Sequence, residues 1–160
     1  MEGELFHCSE LDINPCCGCL GCKLGDQGCM IDDDMQRLYI ELQDADALIL
    51  GTPVYMGQMT GQAKVFIDRL SACFSPRFSP YFKDLGNQRK KLILVFDQGN
   101  SDVERFRAYF DYMRDLFQML EFDVLDVLVV AGLRSDLVSE RLDMHDSIQG
   151  IVGCLCEGSC

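Results

Sequence analysis

The chain has 160 residues, of which 48% are hydrophobic and 25% charged, a globular balance over a length that buries about 70% of the unfolded surface. Fourteen Lys and Arg stand against 26 Asp and Glu, a formal charge of −12, which repels phosphate backbones and acidic lipid faces and argues against nucleic acid and membranes as partners. Met1-Glu2-Gly3-Glu4 lacks the basic and apolar segments of a signal peptide, and ten cysteines without a leader point to a reducing cytoplasm, where clustered thiols serve metals or catalysis more often than disulfides.

Leu5–Cys8 is short and apolar before polar Ser9-Glu10, and reads as a strand over Glu4–Cys8. The stretch Asn14–Met35 holds half of the cysteines. Cys16, Cys19, Cys22 and Cys29 follow the spacing C-x2-C-x2-C-x6-C, with Gly18, Gly21, Gly25 and Gly28 between them. Thiolates three apart on a glycine-rich loop can turn inward toward one centre. Zinc ribbons space two C-x2-C pairs a dozen or more residues apart, whereas three ligands within seven residues suit an iron–sulfur cube better. Zinc and unliganded thiols remain alternatives for this 15–30 loop. Cys17 reads as a bystander, because adjacent thiols do not readily face one centre.

Asp32 is the expected N-cap of a helix in which Met35, Leu38, Tyr39 and Leu42 share one face, ending near Gln43. Ala47–Gly51 is a continuous apolar run of the kind found in parallel strands covered on both faces. A loop, Gly51–Gly57, leads to a helix with Thr60 as cap and Met59, Ala63, Phe66, Ile67 and Leu70 on its face. Lys64, Asp68 and Arg69 read as a helical ion pair and a solvated face. Ser71–Arg89 has no clean period and reads as a long surface connection. Leu92–Phe96 is the next strand, ending at Asp97-Gln98-Gly99-Asn100. Ser101 and Glu104 form a capping-box pattern before a helix of five turns through Val103, Phe106, Phe110, Met113, Phe117 and Leu120. Val124–Val130 is a fourth strand, and Asp143 caps a last helix with Met144, Ile148, Ile151, Val152 and Leu155. His7 and His145 lack partners at ligand spacing, and Cys154, Cys156 and Cys160 read as tail thiols.

Strands alternating with helices argue for a single α/β domain over residues 1–160 with a parallel sheet. Ligands of such sheets bind beyond the carboxyl ends of the strands, which points to the loops 15–29, 52–57 and 97–100. On its own residues, Thr52–Gly57 reads first as a plain strand-to-helix turn. Gly51, Pro53, Tyr55 and Gly57 would nevertheless give a flat heteroaromatic ring a close backbone and an aromatic wall.

Asn14-Pro15-Cys16 through Cys29-Met30-Ile31-Asp32-Asp33-Asp34-Met35, then Ala45–Tyr55 and Lys64-Val65-Phe66-Ile67-Asp68-Arg69, resemble the iron–sulfur flavoproteins of the flavodoxin-like FMN reductase superfamily. The likeness is dense from Leu11 to Leu70. It implies a flavodoxin-like three-layer α/β/α fold with sheet order 2-1-3-4-5. It also implies a 4Fe-4S cluster on Cys16, Cys19, Cys22 and Cys29, and FMN against Thr52, Pro53, Val54, Tyr55, Met56 and Gly57, with Gln98 and Gly99 in the next flavin loop. The implied activity is that of an oxidoreductase relaying electrons through FMN and the cluster, with NAD(P)H, ferredoxin or a quinone as redox partner, and homo-oligomeric assembly. No side chain is nominated as a general acid or base. The alternatives are an NAD(P)H-dependent FMN or quinone reductase without a cluster, and a non-enzymatic cysteine-rich metal-binding fragment. The family's first strand and phosphate-binding loop have no counterpart in this sequence. That implies an absent central strand and weak retention of FMN, unless an upstream start or another arrangement supplies them.

Overall fold

The computed structural model describes residues 3–24, 28–74, 89–132, 148–153 and 155. Its elements are α1 (Gly21–Leu24), α2 (Met35–Asp44), β1 (Ala47–Tyr55), β2 (Gln58–Met59), α3 (Gly61–Arg69), β3 (Lys91–Gln98), α4 (Arg107–Met119) and β4 (Asp123–Ala131). A 3-10 turn, Leu70–Phe74, follows α3, and residues 148–153 are helical. The chain divides into two compact units, one of residues 47–59 and 91–160, the other of 2–46 and 60–90.

The first unit is an α/β sheet of four strands in the order β2-β1-β3-β4. β1 pairs with β3, and β3 with β4, in parallel, while β2 folds back on β1. β3 is buried along most of its length, and Leu92, Leu94 and Phe96 are almost wholly enclosed. α4 packs onto the sheet through its aromatic stripe. Phe110 stacks on Phe96 with centroids 4.4 Å apart, and Phe117 meets Phe122 edge-on at 5.5 Å. Such offset and T-shaped pairs match the ring quadrupoles. β4 carries a bulge, since Leu92 faces Val124 while Ile93 faces Asp126.

Several sequence expectations are corrected in this unit. Thr52–Tyr55 belongs to β1, because Thr52 and Pro53 keep parallel register with Phe96 and Asp97. Covering on both faces does not hold for β1, where Ile49 is 60% exposed and Gly51 and Pro53 share its open face. The reversal into β2 is confined to Met56 (φ 53°) and Gly57 (φ 80°). Positive φ at both central residues marks the tight hairpin turn whose twist matches that of the strands. The Ser101–Glu104 capping box does not form, and α4 starts at Arg107. The cause is local competition. Asn100 Oδ1 accepts from the Asp102 amide and Asp102 Oδ1 from the Glu104 amide, so these side chains hold turns where the helix was expected to begin.

Gly57→Ala is expected to destabilise the chain by about 1–2 kcal/mol, the cost of a Cβ in the left-handed region. The new Cβ would also meet Phe106 Cε1 at 3.3 Å. A urea midpoint unchanged from wild type would contradict this.

In the second unit α2 and α3 bury the faces read from their periodicity: Met35, Leu38, Tyr39 and Leu42 on one, and Ala63, Phe66 and Ile67 on the other. Thr60 caps α3 as expected, its hydroxyl accepting from the Ala63 amide at 3.3 Å. Asp32 does not cap α2. Asp33 Oδ1 instead accepts from the Met35 amide at 3.1 Å. Leu5–Cys8 is not a strand. A strand exists by pairing, and none of the described strands lies in register with it. The Ser71–Arg89 connection begins with buried residues, Ala72 and Cys73. Its residues 75–88, along with Asp143, Met144, His145, Cys154, Cys156 and Cys160, lie outside the described residues.

Candidate functional site: a cysteine hollow and the carboxyl ends of the strands

The loop between Asn14 and Met35 closes on itself. Gly18 (φ 67°) and Leu20 (φ 58°) both take left-handed backbone, which turns the chain sharply on either side of Cys19. At Gly21 the loop passes so near Met30 that an added Cβ would lie 2.5 Å from Met30 Cγ. Cys16, Cys19, Cys22 and Cys29 line one shallow hollow, with Met30, Ile31 and Ala72 also in its wall. Cys17 lines the same hollow. The seven cysteines among the described residues are free thiols.

Backbone and side-chain hydrogen bonds, from Gly21 and Cys17, lower the Cys19 thiol pKa, while burial raises that of Cys22. Among the described residues no three His, Cys, Asp or Glu side chains close up as a single-ion site. One tetrahedral ion needs its donors around one point, whereas a cluster offers each cysteine its own iron corner. Cys16, Cys19, Cys22 and Cys29 are the donor type that either would take.

Behind the hollow lies a buried ion pair. Arg69 and Asp33 are each 1% exposed at the side chain, with Nη1 to Oδ2 at 2.6 Å and Nη2 to Oδ1 at 3.0 Å. Arg69 Nη1 also donates to the Asn14 carbonyl at 2.7 Å, and Nη2 to Cys29 Sγ at 3.4 Å. Asp33 Oδ2 accepts from the Asn14 amide at 2.9 Å. Tyr39 of α2 donates to the Arg69 carbonyl at 2.8 Å. Burial pushes the Asp33 carboxyl up, yet the Arg69 and backbone hydrogen bonds leave it below the usual carboxylate range. Burial opposes the charge on Arg69 too, but Asp33 and Tyr39 hold its pKa above the ordinary arginine value.

Arg69 is thus no solvated residue, although the expected Lys64–Asp68 pair does form on the surface. Its place was detectable in principle, for it follows Phe66 by three residues and falls on the buried stripe of α3. Cys73 was also missed. It is 1% exposed beside the Cys22–Cys29 region, and burial pushes its thiol up to about 12.

The flavin-loop residues lie at the carboxyl ends of β1 and β3. Tyr55 is 66% exposed and Met56 fully so, while Thr52 is buried. Pro53 and Gly99 are exposed and Val54 and Gly57 half-buried. A Cβ added at Gly51 would meet nothing within 4 Å, so the face shared by Gly51, Pro53 and Tyr55 is open to a planar group. Gln98 points inward. Its Nε2 donates to the carbonyls of Asn100 (3.0 Å) and Asp102 (2.7 Å), while its Oε1 is buried without a partner among the described residues. Gly132, after β4, donates its amide to the Gln98 carbonyl at 2.9 Å, which ties the ends of β3 and β4 together. Gln98 therefore shapes the 97–102 loop, and Gly99 beside it is exposed.

Residues 1–132 match the family described as NADPH-dependent FMN reductase, and the chain belongs to that family. Among curated relatives, an iron–sulfur flavoprotein of Archaeoglobus fulgidus is 41% identical over 68 residues, 42% of this chain and 33% of the relative. One from Methanocaldococcus jannaschii is 44% identical over 71 residues, 44% of this chain and 36% of its own. The matches thus span about a third of those relatives. The solved Trp repressor binding protein from Bacillus subtilis shares the fold, with a TM-score of 0.58 and 20% identity over 75% of this chain and 74% of that one.

Proposed function

We propose that this chain is an iron–sulfur flavoprotein oxidoreductase that relays electrons through FMN and a 4Fe-4S cluster, working in the cytoplasm with NAD(P)H, ferredoxin or a quinone as partner. The observation that carries it is the convergence of Cys16, Cys19, Cys22 and Cys29 on one hollow in a chain of the FMN reductase family. The names of the partial relatives support the same reading.

When bound, FMN exchanges electrons in pairs or singly and a cluster carries one at a time, chemistry that belongs to the cofactors. The protein's part is holding, orienting and tuning. Cys16, Cys19, Cys22 and Cys29 would supply the thiolates, beside the apolar side chains of Met30, Ile31 and Ala72. Pro53 and Tyr55 offer one open surface for the flavin ring, and the loop fixed by Gln98 presents the backbone of Gly99. No side chain is assigned a proton-transfer role.

The test is the visible spectrum of chain purified without oxygen, with iron and acid-labile sulfide assayed alongside. Flavin bands with a broad brown shoulder and matched iron and sulfide are expected. Flavin bands alone would favour an FMN or quinone reductase lacking the cluster. Neither chromophore would leave a cysteine-rich metal-binding protein.

A further inference from the structure

We infer that Arg69 is a positioning residue for the cysteine hollow, one that orients Cys29 and makes it the charge-assisted corner of the bound cluster, raising the reduction potential. The inference rests on the iron–sulfur reading above. Its ground is the geometry of one guanidinium. Arg69 joins the start of the loop, through the Asn14 carbonyl, to its last cysteine, through Cys29 Sγ at 3.4 Å. Asp33 grips the same guanidinium with both carboxylate oxygens, so the fork cannot turn away from Cys29 without breaking a buried ion pair. A planar guanidinium with five donors suits this task, since it can hold a carboxylate bidentately and still reach a third and a fourth acceptor.

The direction of the effect follows from charge. Adding one electron to a cluster increases the negative charge on its sulfurs, and hydrogen bonds to those sulfurs and the local net charge are among the protein's means of setting the potential. A buried cation donating to Cys29 Sγ favours the reduced form over the oxidised one. Asp33 offsets the distant field of that cation, but its carboxylate does not face the sulfur with a donor. The donor on Cys29 therefore decides the sign.

The experiment is a dye-mediated reductive titration, followed by absorbance and electron paramagnetic resonance, on the wild type, on Arg69→Lys and on the double variant Asp33→Asn/Arg69→Gln. The double variant removes both charges together and leaves neither buried alone. Circular dichroism checks that each is folded. In the double variant the ratio of reduced to oxidised cluster at a fixed ambient potential should fall about tenfold, equivalent to about 59 mV for one electron. Arg69→Lys, which keeps the charge, should recover part of that shift. Equal potentials in all three loaded proteins would overturn the inference. A folded double variant that loads no iron supports the positioning role where Arg69→Lys restores loading, and counts against it where both variants fail alike. A wild-type chain with no iron–sulfur chromophore would overturn the underlying reading as well, and the wild-type sample separates that failure from the others.

Discussion

Asp33→Ala is expected to lower the unfolding free energy by about 3–5 kcal/mol, the usual result of leaving one member of a buried ion pair without its partner. Arg69 is enclosed to 1% and would keep its charge without the carboxylate that compensates it. The substitution also strips an acceptor from the amides of Asn14 and Met35. Replacing both partners by apolar groups of similar volume, as in Asp33→Leu/Arg69→Met, should cost less than the single change, because no uncompensated charge remains. Urea unfolding measures all three proteins. A loss below 1 kcal/mol in Asp33→Ala would mean that the pair is solvated in solution. The difference should also depend on acid. The folded-state carboxyl is lowered, so its contribution is fully present above the unfolded value near about 4. It should fade as the pH falls through the lowered folded value.

The second large effect concerns the thiols. Replacing Cys16, Cys19, Cys22 or Cys29 singly by Ala should abolish the iron–sulfur absorption or convert the cluster to a smaller one, while Cys17→Ala should leave it nearly intact. The test is sharper than spacing alone suggests, because Cys17 lines the same hollow. Iron and sulfide per chain are the readout. Iron loss in Cys17→Ala equal to that in the other four would overturn the ligand assignment.

The helices α2 and α3 and the strand β3 were legible because burial repeats at their own periods: Met35, Leu38, Tyr39 and Leu42 lie on one face, and Leu92–Leu94 are a wholly enclosed run. Boundaries were harder to read wherever something other than period decided them. Pairing with Phe96 and Asp97 carried β1 through a Thr-Pro sequence that reads as a turn. Asn100 and Asp102 held back α4 through side-chain bonds to the backbone. Leu5–Cys8 has the composition of a strand without a described neighbour to pair with. In the site, cysteine spacing found the hollow because its ligands are close in sequence. The period of α3 could show that Arg69 is buried, but its partners lie 36, 40 and 55 residues away, and no local pattern names them. Cys73, alone in an aperiodic stretch, gave no pattern to read.

The contacts of Arg69 and Asp33 have a further bearing on how the loop is assembled. Together they fasten Asn14 to Cys29 as a clasp fastens the ends of a strap, a ring of about 15 residues whose covalent closure would be worth about 3 kcal/mol of denatured-chain entropy. Here hydrogen bonds and charge do the closing, and they form with the protein itself. In zinc fingers the metal must order the chain that binds it, so affinity and folding are one quantity. In this chain the fastening of Asn14 to Cys29 is done by side chains of α3 and of the turn before α2.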